Sequence, residues 1–171
     1  EDGPCYKVEV ALLKDVATLT IDSSGAGLHK RGYRKLMGEA PLRETLAAAM
    51  VLLSHWTSSQ ILWDPFCGSG TIPIEAALIG RNIAPGLKRT FVAETWPNIP
   101  APYWHKAREE AHHLARFNEP MDIRGTDIDP DVLSLARYHG KQAGVEDAIH
   151  WQRQDFRSLS AHHKYGYIIT N

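Results

Sequence analysis

An α/β fold built on a parallel sheet is the architecture this sequence predicts, and three observations carry the expectation. From residue 60 onward, short apolar runs alternate with helix-length segments; a glycine turn, DPFCGSGT at Asp64 to Thr71, joins one run to a helix; and a second run ends in the acidic turn Thr126 to Pro130. Strands that alternate with helices pair in parallel through right-handed crossovers. The expected order is strand 60–63, helix 72–80, strand 122–126, helix 131–143, strand 148–152 and strand 165–169. Asp129 followed by Pro130 reads as the N-cap of the helix that runs to Gly144. The result is a Rossmann-like sheet. Because the chain stops at Asn171 right after an apolar strand, the sheet is expected to be incomplete at its C-terminus, where an unprotected edge would otherwise be exposed.

The first part of the chain reads differently. Tyr6–Leu12 and Val16–Asp22 alternate apolar and polar residues around Lys14-Asp15, which predicts an antiparallel hairpin. Ser23 to Gly27 breaks that pattern, a basic stretch runs from His29 to Lys35, and Pro41 leads into an Ala- and Leu-rich helix over 42–54. The interval 81–121 interrupts the alternation with Pro85, Pro97, Pro100 and Pro102 and resumes as a polar helix over 104–117, an insertion or an elongated crossover. Aromatics in such a segment, here Trp96, Tyr103 and Trp104, more often pack it down than line a channel.

Composition bounds the possibilities. A chain of 171 residues with 43% hydrophobic content holds one core. With 19 Lys and Arg against 20 Asp and Glu, any nucleic-acid surface must be local. Cys5 and Cys67 lie far apart and no secretory leader is evident, which points to free thiols in a cytoplasmic setting. The longest apolar stretch, Leu46 to Leu53, falls far short of the roughly 20 residues that span a bilayer. A soluble protein with no membrane segment is expected. The pairs His112-His113 and His162-His163 lack the spacing of a zinc site and read as solvated, so no metal is expected.

The glycine loop narrows the ligand. A Walker loop needs Lys followed by Ser or Thr after its last glycine, and none is present. A dinucleotide fingerprint needs a third glycine where this chain has Pro73, and an acidic residue much closer than Asp127. What remains is Asp64 at a strand end, the aromatic Phe66, and the turn Gly68-Ser69-Gly70-Thr71 delivering a helix N-terminus. That set suits a cationic nucleoside bearing a carboxylate, such as S-adenosyl-L-methionine. The competing reading is an ordinary strand-to-helix turn in which Asp64 caps the helix. Asp127, with Ile128 beside it, stands where a carboxylate accepts from two ribose hydroxyls. Asp155 can accept from an adenine amine with Phe156 packed nearby, against the alternative of a solvated turn aspartate. Cys67 lacks an activating base and is expected to pack beneath the ligand.

These residues carry a resemblance. LHKRGYR (Leu28 to Arg34), GEAPLRETLAAAM (Gly38 to Met50), DPFCGSGTIPIEAALIGRNIAPG (Asp64 to Gly86) and GTDIDPDVLSLAR (Gly125 to Arg137) are similar to the UPF0020 group of class I methyltransferases. That family includes bacterial enzymes that methylate the guanine exocyclic amine (N2) in large-subunit ribosomal RNA, and often bears the older label N6-adenine-specific DNA methylase. The resemblance implies an S-adenosyl-L-methionine-dependent RNA methyltransferase whose Asn-Pro-Pro-Tyr type motif opens here with Asn171 as the active-site Asn. It also implies that residues 1–28 are the last strands of a THUMP-like RNA-binding module and linker, and that residues 29–171 are the N-terminal part of the methyltransferase domain. A base buried in folded RNA must be splayed out, which demands a grip on phosphates. Lys30, Arg31, Arg34 and Lys35 could supply it, or could pair with Glu39 and Glu44. The rival readings are a DNA adenine amino methyltransferase and a non-catalytic RNA-binding or ribosome-assembly module.

Overall fold

The computed structural model of the chain describes residues 3–34, 42–160 and 164–171. It opens with strands β1 (Lys7–Leu13) and β2 (Val16–Asp22), paired antiparallel with Leu13 opposite Val16. Lys14 and Asp15 between them have φ of 48° and 59°, a two-residue turn whose twist matches that of the strands. Strict alternation predicts one covered face. Instead β1 is exposed along its whole length, because a two-stranded ribbon cannot shield either of its own sides.

The rest is the alternating unit. Helix α1 (Glu44–Leu53) precedes β3 (Leu62–Asp64), α2 (Thr71–Gly80), α3 (Ala101–Leu114), β4 (Ile123–Asp127), α4 (Pro130–Ala143), β5 (Ile149–Arg153) and β6 (Tyr167–Ile168). Strands pair in parallel in the order β5-β4-β3-β6, with Leu62 opposite Ile123 on one side and opposite Tyr167 on the other. The chain moves outward from β3 to β5 and then returns to β3's other edge. That reversal makes the carboxyl end of β3 the switch point at which open α/β sheets bind ligands.

Helix α2 is mostly apolar and almost wholly buried, its Thr71 and Glu75 included, packed against α1, α4 and the strands β3 to β5. The core comprises Ala47 and Val51 of α1, Leu62, Ile74, Ala76 and Ala77, Ile123, Leu133 and Ala136, with Trp151 reaching in from β5. Asp129 caps α4, accepting from the Asp131 amide at 2.8 Å, and Gly144 ends it at φ 81°. Both ends fall where the sequence places them. In the insertion, Trp96 is buried, stacks on Tyr6 at 4.9 Å and donates from Nε1 to the Cys5 carbonyl at 2.9 Å. Trp104 stacks on Phe91, whereas Tyr103 is exposed. Two of the three aromatics therefore pack the insertion down.

Trp151 packs tightly against two glycines. A Cβ on Gly125 of β4 would lie 2.5 Å from its Cζ3, and one on Gly70, ahead of α2, 2.6 Å from its Cη2. Such overlap forces backbone or rotamer shifts costing about 1–3 kcal/mol. Gly125→Ala is therefore expected to lower the melting temperature by about 2–10 °C, measured by thermal unfolding. In a Trp151→Leu background most of that penalty should vanish; an equal drop in both backgrounds would show that the indole is not its cause.

Candidate functional site

The DPFCGSGT segment leaves β3 at Asp64 and enters α2 at Thr71, with Gly70 at the cap position in the left-handed region, φ 84°, and no side-chain cap. Asp64 does not cap the helix. Its Oδ1 accepts from the Phe66 amide at 3.2 Å, bracing the turn. The two glycines do different work. Gly70 is held under Trp151 and Ala136, while Gly68, φ 51°, has nothing within 4 Å of where a Cβ would stand. The first permits packing, and the second keeps the approach to the loop open.

Carboxylates meet this loop from three strand ends. Asp127, at the end of β4, accepts from the Gly68 amide at 2.9 Å through Oδ2 and from the Asp129 amide at 3.1 Å through Oδ1. A carboxylate has about four acceptor positions, so Asp127 keeps capacity for further donors. Asp155, beyond β5, caps the turn Phe156–Ser158 and binds the Arg157 guanidinium through both oxygens, at 2.5 Å on the shorter side. Arg157 holds its carboxyl down, at about 2. An adenine amine would thus compete with Arg157 at Asp155, a feature the sequence reading did not foresee. Asp64 goes the other way: burial pushes it up to about 6, against the Thr170 hydroxyl and the Phe66 amide, with Asp127 adding to the rise. Thr170 Oγ1 is itself buried, close to this carboxylate but outside hydrogen-bond geometry.

Phe66, Ile128 and Phe156 are large apolar side chains left about half exposed, and Phe66 and Phe156 face each other with centroids 5.0 Å apart. With Asp127 and Asp155 they line a cavity of about 400 Å³. A second cavity of about 450 Å³, lined by Tyr33, Leu78, Phe117 and Ala143 among others, contains none of the loop or strand-end groups. The first is where apolar walls and carboxylates converge. Cys67 is buried under the loop, where desolvation, with Asp64 and Asp127 nearby, pushes its thiol far above the usual range and keeps it protonated. Asn171 is exposed and stands beyond the carboxyl end of β6, the strand beside β3.

The basic run is largely spent inside the molecule: of the two readings, phosphate grip or internal pairing, Arg31 and Arg34 follow the second. Arg31 reaches Glu75 of α2 at 3.4 Å, and Arg34 pairs with Glu44 of α1 at 3.4 Å while donating to Thr71 Oγ1. Both side chains are nearly buried. Tyr33 adds a bond from its hydroxyl to Glu75 at 3.1 Å. The cause is that Glu44 and Glu75 are themselves buried and need partners. Thr71, expected to face the ligand, is 5% exposed and accepts from Arg34 instead. Lys30 remains at the surface. Lys35, Glu39, Pro41 and the pair His162-His163 lie outside the described residues.

One residue not singled out in the sequence lies against the glycine loop. His139 is fully buried on α4, with Nδ1 3.2 Å from the Ser69 carbonyl. The signal was available: His139 falls on the inward stripe of α4 with Leu133, Ala136, Gly140 and Ala143. Among the described residues no helix is long and apolar enough to cross a membrane, and no group of His, Cys, Asp and Glu is placed to hold a metal ion.

A parallel sheet that hands a glycine turn to a buried helix at its switch point, with carboxylates at successive strand ends, is the α/β methyltransferase fold. The chain belongs to the family described as UPF0020, RMKL-like methyltransferase domain, whose pattern matches residues 31–171. It is 48% identical over its whole length to YpsC of Bacillus subtilis (strain 168), provisionally named an RNA methyltransferase, and spans 44% of that protein. It is 42% identical to the ribosomal RNA large subunit methyltransferase K/L of Vibrio campbellii, of which it covers 25%. The chain thus spans under half the length of these relatives. Among solved structures, a Listeria monocytogenes protein described as a predicted N6-adenine-specific DNA methylase superposes with a TM-score of 0.94 at 49% identity, over 99% of this chain and 45% of that one. The structure of SMU.472, provisionally called a methyltransferase and complexed with SAH, gives a TM-score of 0.92 at 41% identity, over 100% of this chain and 45% of that one.

Asp64 makes the fold sensitive to pH. Unfolded, it titrates near its ordinary value of 3.8; folded, near 6. Between the two the folded state keeps a proton that the unfolded state has lost, so this contribution to stability falls as pH rises through the window. Asp64→Asn, which retains the acceptor for Phe66, should flatten the dependence of melting temperature on pH there. At pH 7 the variant should be the more stable by up to about 3 kcal/mol; parallel profiles would refute this.

Proposed function

We propose that this chain forms the cofactor-binding part of an S-adenosyl-L-methionine-dependent methyltransferase that acts on the exocyclic amine of guanine in large-subunit ribosomal RNA, in the cytoplasm. The single observation that carries the reading is Asp127, whose carboxylate fixes the Gly68 amide and also lines the cavity walled by Phe66, Ile128 and Phe156. The residues present fit a nucleoside with a cationic tail: aromatic walls for a flat base, Asp127 for ribose hydroxyls, Asp155 for the base amine, and Asp64, Gly68, Ser69 and Gly70 toward the amino-acid end. Bound there, S-adenosyl-L-methionine supplies a methyl group on a positively charged sulfur. A transfer by direct displacement needs orientation above all. The carboxylates set the position of the donor, and Asn171 holds the target amine through its side-chain amide at the neighbouring strand end.

The RNA assignment is supported by the names of the relatives and by the hairpin β1–β2, which stands outside the parallel sheet and resembles the last strands of a THUMP-like module. The internal pairing of Arg31 and Arg34 removes two cations from the phosphate grip and leaves Lys30, with Lys35, to contribute to it. A DNA adenine amino methyltransferase is the second reading, carried by the name of the Listeria structure.

Two measurements test the proposal. Calorimetry with S-adenosylhomocysteine should detect binding, and Asp127→Ala should weaken it by more than about tenfold, since a carboxylate taking hydrogen bonds from a ligand contributes roughly 1.5–3 kcal/mol. With the chain extended through the whole Asn-Pro-Pro-Tyr type motif, labelled S-adenosyl-L-methionine should transfer its methyl to unmodified large-subunit ribosomal RNA, whereas residues 1–171 alone should bind cofactor without turnover. Label found in duplex DNA alone would overturn the RNA assignment, and absence of cofactor binding would favour a non-catalytic RNA-binding module.

A further inference from the structure

We infer that His139 is a positioning residue of the glycine loop: its imidazole holds the Ser69–Gly70 peptide in one orientation, so that the loop meets its ligand already shaped. Nδ1 of His139 lies 3.2 Å from the Ser69 carbonyl oxygen. A carbonyl oxygen only accepts, so Nδ1 carries the proton. With His139 at 1% exposure, water cannot take over that contact.

The peptide needs a holder because of its neighbours. Ser69 sits between Gly68 at φ 51° and Gly70 at φ 84°, and glycine adopts either sign of φ with little penalty. Fixing a residue's backbone costs conformational entropy, which a mobile loop would lose from its ligand affinity. Three N–H groups of the loop are already tied, the Gly70 N–H of this same peptide among them. Cys67 N–H donates to the Thr126 carbonyl at 2.9 Å, Gly68 N–H to Asp127 at 2.9 Å, and Gly70 N–H to the Cys67 carbonyl at 2.8 Å. His139 grips the opposite, carbonyl side of the plane that carries the Gly70 amide. Leu133, Ala136 and Ala143 share its buried stripe, so a purely apolar side chain would satisfy the packing; the histidine adds a directed donor.

This role rests on the cofactor reading of the loop, and the test separates the two. Affinity for S-adenosylhomocysteine is measured by calorimetry for the wild-type chain and for His139→Asn, His139→Gln and His139→Leu, with thermal unfolding as a check on folding. Asn carries its N–H near the position of Nδ1, and Gln carries it further out. The expected result is about tenfold weaker binding for Leu and Gln and a loss under about threefold for Asn, the scale of one buried hydrogen bond. Binding by Leu equal to wild type, or equal weakening in Asn and Gln, would overturn the role; the Asn and Gln pair decides if Leu fails to fold. Should the wild type not bind at all, the cofactor reading fails, and hydrogen exchange at the loop amides decides instead. Faster exchange in Gln but not in Asn carries the hold on Ser69, and identical exchange in both overturns it.

Discussion

The closeness with which the Trp151 indole is packed governs much of this fold. It requires glycine at positions 70 and 125 at once, one ahead of α2 and one within β4, and Gly140 of α4 also lies against it. Protein interiors fill space to crystal-like density, so one large planar side chain can fix the separation of several elements. The glycine loop lies where it does because α2 can approach β4 only this far. Its shape as a ligand cradle is thus set by packing before any ligand chemistry enters. From that placement follows the meeting of Asp127 with the Gly68 amide, and of His139 with Ser69.

A second layer of order is polar and buried. Glu44 and Glu75 sit on adjacent helices inside the core and are met by Arg31, Tyr33 and Arg34 from one short loop. Buried ion pairs add little net stability, since desolvation offsets most of the attraction, but they penalise any arrangement in which a partner is missing. The loop carrying Arg31 to Arg34 is therefore pinned to α1 and α2. Through Thr71, Arg34 also touches the first residue of α2, next to the ligand loop. The same contacts withdraw these arginines from solvent, and the chain's nearly neutral charge leaves no broad basic field to replace them.

The three strand-end aspartates show how one residue type takes different characters from its surroundings. Asp64 is buried and raised toward neutrality; Asp155 is solvated, bound to Arg157 and lowered. Asp127, between them, is committed partly to the protein's own backbone. A ligand spread across all three would meet a graded set of acceptors rather than three equal charges. Reference values shift in this way because burial disfavours the ionised form while a neighbouring guanidinium favours it.

The sequence by itself determined the alternating order, the ends of α4 at Asp129 and Gly144, the hairpin turn at Lys14-Asp15, and the family to which residues 31–171 belong. All of these rest on local signals: periodicity, caps, turns and motifs act over a few residues and survive without a partner elsewhere. Only the tertiary structure decided which charges are spent internally. Glu75 lies 44 residues from Arg31 along the chain, and Ser69 lies 70 from His139, separations over which no local pattern extends. The division of labour between Gly68 and Gly70 was hidden for the same reason. It depends on an indole from β5, placed there by the sheet register and not by anything within the loop.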